Sequence, residues 1–330
     1  WIPSNQRQRA KTENTMKFDA IIIGFGKAGK TLAGFLAKKG EKVALIERSE
    51  KMYGGTCINI GCIPTKTLVH SAHLARRDAS WKEKQEYFRG AMAQKDAVVS
   101  FLREKNYEKL ADDPNVTIFL GVGSFAGKNS VEVRGKDSAV TLEAPKIFIN
   151  TGSETVIPDI PGIAGNPRVF TSTTLLDLKE LPQRLTVVGG GYIGLEFASM
   201  FASFGTQVTV LEKGTQVLPR EDRDIAAAVQ GVLENKGVQF KTHVNVIQID
   251  GGTVVYEDRA GWPPSEHRSV RTGKGGCWSQ CARSHRGRRT PAHQYSRCVC
   301  RRRLHLPGAR PDRTGRATRQ AGRRSHACPT

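Results

Sequence analysis

Two stretches of this chain repeat one pattern. In residues 19–47, DAIIIGFGKAGKTLAGFLAKKGEKVALIE, an apolar strand from Ala20 to Ile23 runs into Gly24-Phe25-Gly26-Lys27-Ala28-Gly29. A helix is expected from Lys30 to Lys38, then a second strand from Val43 to Ile46 that ends in Glu47. In residues 184–212, RLTVVGGGYIGLEFASMFASFGTQVTVLE, the strand Leu185 to Val188 leads into Gly189-Gly190-Gly191-Tyr192-Ile193-Gly194. The helix there runs to about Phe204 and the next strand, Val208 to Leu211, ends in Glu212. The glycines of each loop have separate tasks. Gly24 and Gly189 make the tight turn, Gly26 and Gly191 let backbone approach a pyrophosphate, and Gly29 and Gly194 let helix pack on strand. The helix start adds bare N–H groups and a positive dipole end. In both repeats an acid stands 18 residues past the last glycine, within reach of a ribose 2′-hydroxyl. A lone GxGxxG says little; with the strand before, the helix after and the acid in place, it is specific. The expected class is α/β, with two Rossmann-like dinucleotide domains on parallel sheets.

Between the repeats lies MYGGTCINIGCIPTK, residues 52–66, with Cys57 and Cys62 behind a Gly-Gly-Thr turn. Two thiols this close are metal ligands or a redox pair. A zinc site needs two more Cys or His ligands at matched spacing, and no such pair stands in the ordered part. His70 and His73 are close in sequence but read as helix-surface residues. No structural metal is expected; Cys57 and Cys62 remain possible ligands of a substrate ion. An ideal helix holds residues i and i+5 roughly 8–9 Å apart at Cα, beyond disulfide reach. A bridge therefore needs a distorted first turn, which Asn59, Gly61 and Pro64 permit. Two dinucleotide sites around a dithiol imply two cofactors: a nicotinamide donor, and a flavin (FAD) that accepts a hydride and passes electrons to a disulfide. The acid Glu212 favours a free 2′-hydroxyl over a 2′-phosphate, so NADH is expected rather than NADPH.

The blocks GGTCINIGCIPTK at 54–66, INTGS at 149–153 and GGGYIGLE at 189–196 resemble the signature blocks of the pyridine nucleotide–disulfide oxidoreductases, in the family's order. The resemblance runs from about Lys17 to Asp258. IIGFGKAGKTLA, KIFINTG and LPREDRDIA resemble most the branch of the reactive-chlorine-resistance cupric reductase and the mercuric reductases. The resemblance implies an FAD domain interrupted by the NAD domain, a homodimer made by a C-terminal interface domain, and electron flow from NAD(P)H through flavin to a Cys57–Cys62 disulfide. It implies a metal ion such as Cu(II) or Hg(II) as acceptor, with dihydrolipoamide dehydrogenase or another disulfide reductase as the alternative. It places Cys62 nearer the flavin and Cys57 outward. It pairs Lys66 with Glu196 beside the flavin, lets Tyr192 cover the flavin face, and adds Gly55, Thr56, Gly123, Thr151, Gly152 and Ser153 to the FAD site and Val244 to the NAD site.

In chain order, residues 1–15 read as a disordered leader, 16–155 as the FAD-binding domain, and 156–182 as a proline-rich connector. Residues 183–258 read as the NAD-binding domain. A helix is expected over Ala91 to Leu110. The formal charge of +20 invites a nucleic-acid reading, but its location decides against one. Residues 259–330 carry 18 basic and two acidic side chains, and the preceding 258 residues are near balance. That tail has 17 Arg, no Ile and no Phe, and neither helical nor strand period. It is expected to be unstructured, with the composition of an out-of-frame translation. A basic nucleic-acid tail or a metal cluster on Cys277, Cys281, Cys298 and Cys300 are the competing readings, and a truncated, inactive chain is their companion. The resemblance also implies a later Ala-x-Gly-Asp block that binds the flavin's ribityl and phosphate region; none is found here, so both domains are expected to be incomplete and the interface domain missing. The main body's balanced charge, its two thiols and the lack of an apolar run of membrane length lead to the expectation of a cytoplasmic enzyme.

Overall fold

The computed structural model describes residues 15–258, 268–271 and 277–280. Its first parallel sheet is built from four short apolar strands in the order Val116–Leu120, Val43–Glu47, Ala20–Ile23, Lys146–Ile149. Continuous apolar runs such as AIII and VALI suit strands covered on both faces, and the two central strands are buried throughout. Parallel neighbours need a crossover, which helix α1 (Lys27–Ala37) supplies between Ala20–Ile23 and Val43–Glu47. The helices that follow are α2 (Thr56–Asn59), α3 (Cys62–Leu74) and α4 (Trp81–Ala111). One sheet face packs on α1 through Ala20, Ile22, Leu45, Ala33 and Leu36. The other packs on a mixed sheet, antiparallel except for the parallel pairing of Thr15–Lys17 with Ala139–Glu143, through Ile21, Ile23, Ile46, Val131, Val133 and Leu142. That second layer has the order Thr15–Lys17, Ala139–Glu143, Ser130–Arg134, Val122–Gly127.

The later part of the chain repeats the plan. A parallel sheet runs Gln239–Lys241, Gln207–Leu211, Arg184–Val188, Cys277–Gln280, Val169–Thr171. Helix α5 (Tyr192–Phe204) makes the first crossover and α6 (Arg223–Glu234) the second. An antiparallel sheet of Val244–Asp250, Thr253–Asp258 and Arg268–Arg271 lies beside it. In the first sheet the chain enters at the central strand Ala20–Ile23, builds outward on one side and then crosses to Lys146–Ile149 on the other; in the second, after the edge strand Val169–Thr171, it enters Arg184–Val188, builds outward through Gln207–Leu211 and Gln239–Lys241 and then returns to Cys277–Gln280 on the other side. The crevice at that switch is where ligands bind in open α/β sheets. The two repeats are joined by α3, α4 and α5, with Leu68, Phe88, Met92, Phe197, Phe201 and Phe204 in one apolar cluster. Phe88 meets Phe204 edge-on at 5.3 Å between centroids. Burying each such side chain contributes about 1.5–3 kcal/mol, and aromatic pairs add about 0.5–1.5.

Several local expectations change. Helix α4 starts at Trp81, ten residues before the expected Ala91. Its start is a reciprocal capping box: Glu83 N–H donates to Ser80 Oγ, and Ser80 N–H donates to Glu83 Oε2. Thr15, assigned to the leader, opens a strand, and Val169–Thr171, assigned to the connector, is an edge strand. Two stretches of the Arg-rich segment, expected to be extended or irregular, pair as strands. Arg268–Arg271 extends the antiparallel sheet, and Cys277–Gln280 fills the place between Arg184–Val188 and Val169–Thr171. Strands pair through backbone N–H and C=O groups, and an open sheet edge demands partners for them. A segment without apolar periodicity can supply those partners. Residues 1–14 and the remainder of 259–330, with the proposed ligands Cys281, Cys298 and Cys300, lie outside the described residues. Among the described residues no helix is long and apolar enough to cross a membrane.

Candidate functional site

The first glycine loop lies at the switch of the first parallel sheet. Gly24 has φ +110°, and a Cβ there would run into the carbonyl of Asn150, at the end of the neighbouring strand. Asn150 closes the contact by donating from Nδ2 to Gly24 O at 3.2 Å. A Cβ at Gly29 would strike the Gly24 carbonyl, so the first turn of α1 can lie this close to the loop only with glycine at position 29. Gly26 caps α1 without a side-chain bond to the first-turn N–H groups. Gly55 packs so closely against it that a Cβ on Gly55 would come within 2.5 Å of Gly26 Cα. Thr151, Gly152 and Ser153 are exposed just after Asn150. Gly123 lies over Ile23 and Ile46, at the C-terminal ends of the same strands. Thr56, exposed, begins α2 immediately after Gly55.

Glu47 turns back onto this loop. Its Oε2 accepts from Phe25 N at 3.0 Å, and its Oε1 accepts from Arg48 N at 2.8 Å and Ser49 N at 3.2 Å. The second loop is built the same way. Gly189 has φ +104°, Gly191 caps α5 without a side-chain bond, and a Cβ at Gly194 would strike the Gly189 carbonyl. Glu212, only 2 % exposed, accepts from Gly190 N at 2.7 Å on Oε2 and from Gly214 N at 2.6 Å on Oε1. The acid of each fingerprint thus braces its own glycine loop before any ligand arrives. A carboxylate has about four acceptor positions, so a ribose hydroxyl can share it. Bare helix starts, backbone too close for any side chain and a braced carboxylate together fit the diphosphate and ribose of a dinucleotide. Replacing Glu212 by Gln sets an amide NH2 against Gly190 N or Gly214 N, leaving a buried donor unpaired. The expected loss is about 1–3 kcal/mol of folding stability, measurable by urea unfolding.

Tyr192 is exposed on the first turn of α5, and its hydroxyl donates to Glu221 Oε1. That hydrogen bond pushes the phenol pKa up. Val244 stands behind Glu212: its N–H donates to Glu212 O at 3.1 Å, and its side chain is buried with Ile163, Leu211 and Ile249.

Between the loops the helix carrying the two cysteines is broken. α2 ends at Asn59, Ile60 and Gly61 leave the helical region, and α3 restarts at Cys62. Cys57 is half-buried and Cys62 exposed, and both are free thiols. Interaction with the neighbouring Cys62 thiol, then burial, pushes the Cys57 thiol up, against the opposing charge of Lys30. Alkylation of Cys57 should therefore rise with pH around a midpoint above the ordinary thiol value of roughly 8.5. Cys62→Ser should move that midpoint down, read by mass spectrometry of the labelled peptide. Four residues on from Cys62, Lys66 donates to Glu196 Oε1 on α5 at 2.5 Å. The Lys66 side chain is 71 % exposed, so the pair contributes only about 0–1 kcal/mol and acts by fixing position. His70 and His73 are exposed on α3. Among the described residues no group of three or more His, Cys, Asp or Glu could hold a metal.

Sequence reading missed the contribution of α4. Arg103 Nε donates to Asn59 Oδ1 at 2.7 Å, Lys30 Nζ donates to Asn106 Oδ1, and Tyr107 stacks on Tyr53 with centroids 4.8 Å apart. The signal was there: the Ser80–Glu83 capping box starts a helix long enough to bring residues 103, 106 and 107, neighbours on one helix face, to the Gly-Gly-Thr turn.

Residues 18–261 match the family model described as pyridine nucleotide-disulphide oxidoreductase. The chain is 52 % identical over 233 residues to the probable pyridine nucleotide-disulfide oxidoreductase RclA of Escherichia coli K12, covering 71 % of this chain and 51 % of that protein. It is 36 % identical over 241 residues to the dihydrolipoyl dehydrogenase of Chlamydia trachomatis, with the same two coverages, 71 % and 51 %. Among solved structures, a Cu(II) complex of the HOCl-induced flavoprotein disulfide reductase RclA from Escherichia coli superposes with a TM-score of 0.72 at 47 % identity, over 81 % of this chain and 56 % of that one. The chain spans about half the length of the curated relatives it matches. Two glycine loops with braced acids, a dithiol at a helix break, and these matches agree: the chain belongs to the pyridine nucleotide-disulphide oxidoreductase family, which works with FAD and a pyridine nucleotide.

Proposed function

We propose that this chain carries the nucleotide sites and the redox dithiol of a reductase that moves electrons from NADH to a metal ion such as Cu(II) or Hg(II). FAD, when bound, supplies the relay that takes a hydride from the nicotinamide and reduces a Cys57–Cys62 disulfide. Residues 16–155 would hold FAD through the Gly24–Gly29 loop, Glu47, Gly55, Thr56, Gly123 and Thr151–Ser153. Residues 183–258 would hold NADH through the Gly189–Gly194 loop, Tyr192, Glu212 and Val244. The carboxylate of Glu212 disfavours a 2′-phosphate, which supports NADH over NADPH.

The observation that carries this reading is the break between α2 and α3, which folds Gly61, the residue before Cys62, against Cys57, so that a Cβ on Gly61 would lie 3.5 Å from Cys57 Cα. A thiol pair so placed can close to a disulfide, or open to two soft ligands for a thiophilic ion. The family resemblance supports Cys62 as the cofactor-facing thiol and Cys57 as the thiol that meets the acceptor; Lys66, four residues on from Cys62, then holds its pair with Glu196 on the Cys62 side of α3. The Lys66 cation there favours negative charge on its neighbour. The phenol of Tyr192 is tethered to Glu221 and must leave it to move over the flavin face.

The metal-ion reading draws on the similarity to a protein solved as a Cu(II) complex. The second reading, a disulfide reductase acting on a small disulfide such as lipoamide, draws on the similarity to dihydrolipoyl dehydrogenase. NADH oxidation measured with Cu(II), with Hg(II), with oxidised lipoamide and with no acceptor separates them. Stimulation by Cu(II) or Hg(II) and not by lipoamide is the expected result; stimulation by lipoamide alone overturns the metal-ion reading.

A further inference from the structure

We propose that Arg103, on α4, is a positioning residue for the Cys57–Cys62 pair and acts through Asn59. The inference rests on the reading of the two thiols as a redox pair. Asn59 closes α2, between the two cysteines, and is 8 % exposed. Its side chain makes three bonds. Nδ2 donates to the carbonyls of Tyr53 and Gly55 at 2.9 Å each, and Oδ1 accepts from Arg103 Nε at 2.7 Å. One amide thus ties the turn before Cys57 to the residue at the helix break, and Arg103 ties that amide to α4. The same face of α4 holds the turn twice more. Asn106, bonded by Lys30 Nζ, lies against Gly54, and Tyr107 stacks on Tyr53.

The consequence for the thiols is geometric. In an unbroken helix, residues 57 and 62 would stand roughly 8–9 Å apart at Cα, too far for a disulfide. The break at Ile60 and Gly61 departs from that helical path and folds Gly61 against Cys57, where a Cβ on Gly61 would lie 3.5 Å from Cys57 Cα; Asn59 is the last residue before it. Without Arg103, the Asn59 Oδ1 is a buried acceptor with no donor. The amide then turns to find one and releases the carbonyls of Tyr53 and Gly55. The break loses its restraint, and the arrangement in which the two sulfurs converge is less populated. The dithiol tolerates that loss; the disulfide does not.

Equilibration with glutathione reads the difference directly. The protein S–S bond breaks as the S–S bond of glutathione disulfide forms. Two thiol protons pass from glutathione to Cys57 and Cys62, and the electron pair that leaves two glutathione sulfurs reduces the two cysteines. The full chain is equilibrated at set ratios of reduced to oxidised glutathione, acid-quenched, alkylated and analysed by mass spectrometry. Arg103→Gln should reach half-reduction at conditions about tenfold less reducing than the wild type. Arg103→Lys, which can still donate to Oδ1, should stay within about twofold of it. Asn59→Ser, which leaves α4 intact, should shift in the same direction as Arg103→Gln and provides the reading if that variant does not fold. Equal midpoints for wild type, Arg103→Gln and Asn59→Ser overturn the positioning role, as does a shift in Arg103→Lys as large as that in Arg103→Gln. A wild-type pair that no glutathione ratio oxidises overturns the redox-pair reading itself and this inference with it.

Discussion

A Cys57→Ser protein should lose NADH-driven reduction of Cu(II), Hg(II) and oxidised lipoamide alike, by at least about 100-fold. The thiolate is the species that attacks a disulfide and binds a soft ion, and a serine hydroxyl does not ionise in the working range. The fold should be unaffected, because the exchange is nearly isosteric and Cys57 is only half-buried. Stability should change by less than about 1 kcal/mol. FAD content should also match the wild type, since the glycine loop and Glu47 that would hold the cofactor do not bond to the Cys57 sulfur. The check is NADH oxidation with each acceptor, alongside flavin content and urea unfolding. Residual acceptor reduction near the wild-type rate would mean that electrons leave by a route other than the dithiol.

Gly24→Ala should lower folding stability by about 2–6 kcal/mol. Two costs add. An alanine at φ +110° carries backbone strain of about 1–3 kcal/mol, and its methyl collides with the Asn150 carbonyl, an overpacking cost of about 1–3. Domains are stable by only about 5–15 kcal/mol, so the loss is a large share. Gly40→Ala is the control. Gly40 also has positive φ, +82°, but a Cβ there meets nothing within 4 Å. It should cost only the strain, about 1–2 kcal/mol. Urea unfolding of both variants checks the difference. Equal losses would show that the crowding between the glycine loop and the end of the Lys146–Ile149 strand does not hold in solution.

The residues explain which parts were legible in sequence. Gly24, Gly29, Gly189 and Gly194 mark themselves because backbone lies where a side chain would go. Glu47 and Glu212 mark themselves by equal spacing. What spacing does not reveal is that each acid bonds to its own loop: one carboxylate oxygen reaches an amide 22 positions away. The helix break between Asn59 and Cys62 was foreseen from Gly61 and the limits of disulfide geometry, but its clamp was not. Arg103 is 44 positions from Asn59, and no local pattern connects them. The Lys66–Glu196 pair, 130 positions apart, was legible only through family resemblance. The start of α4 was misread because WKEKQEYF has little apolar period, while the Ser80–Glu83 capping box, a local signal, was passed over. Cys277–Gln280 was missed for another reason. A strand that enters a sheet by backbone pairing leaves no signature in a sequence poor in apolar residues.

Everything proposed for this chain turns on whether NADH reduces Cys57 and Cys62 together. The protein, with FAD added and oxygen excluded, is incubated with and without NADH, alkylated and digested, and each cysteine is scored by mass spectrometry. NADH should convert both Cys57 and Cys62 from unlabelled to labelled, one pair per chain. NADH consumed with no change in labelling at either cysteine would contradict the proposed electron path.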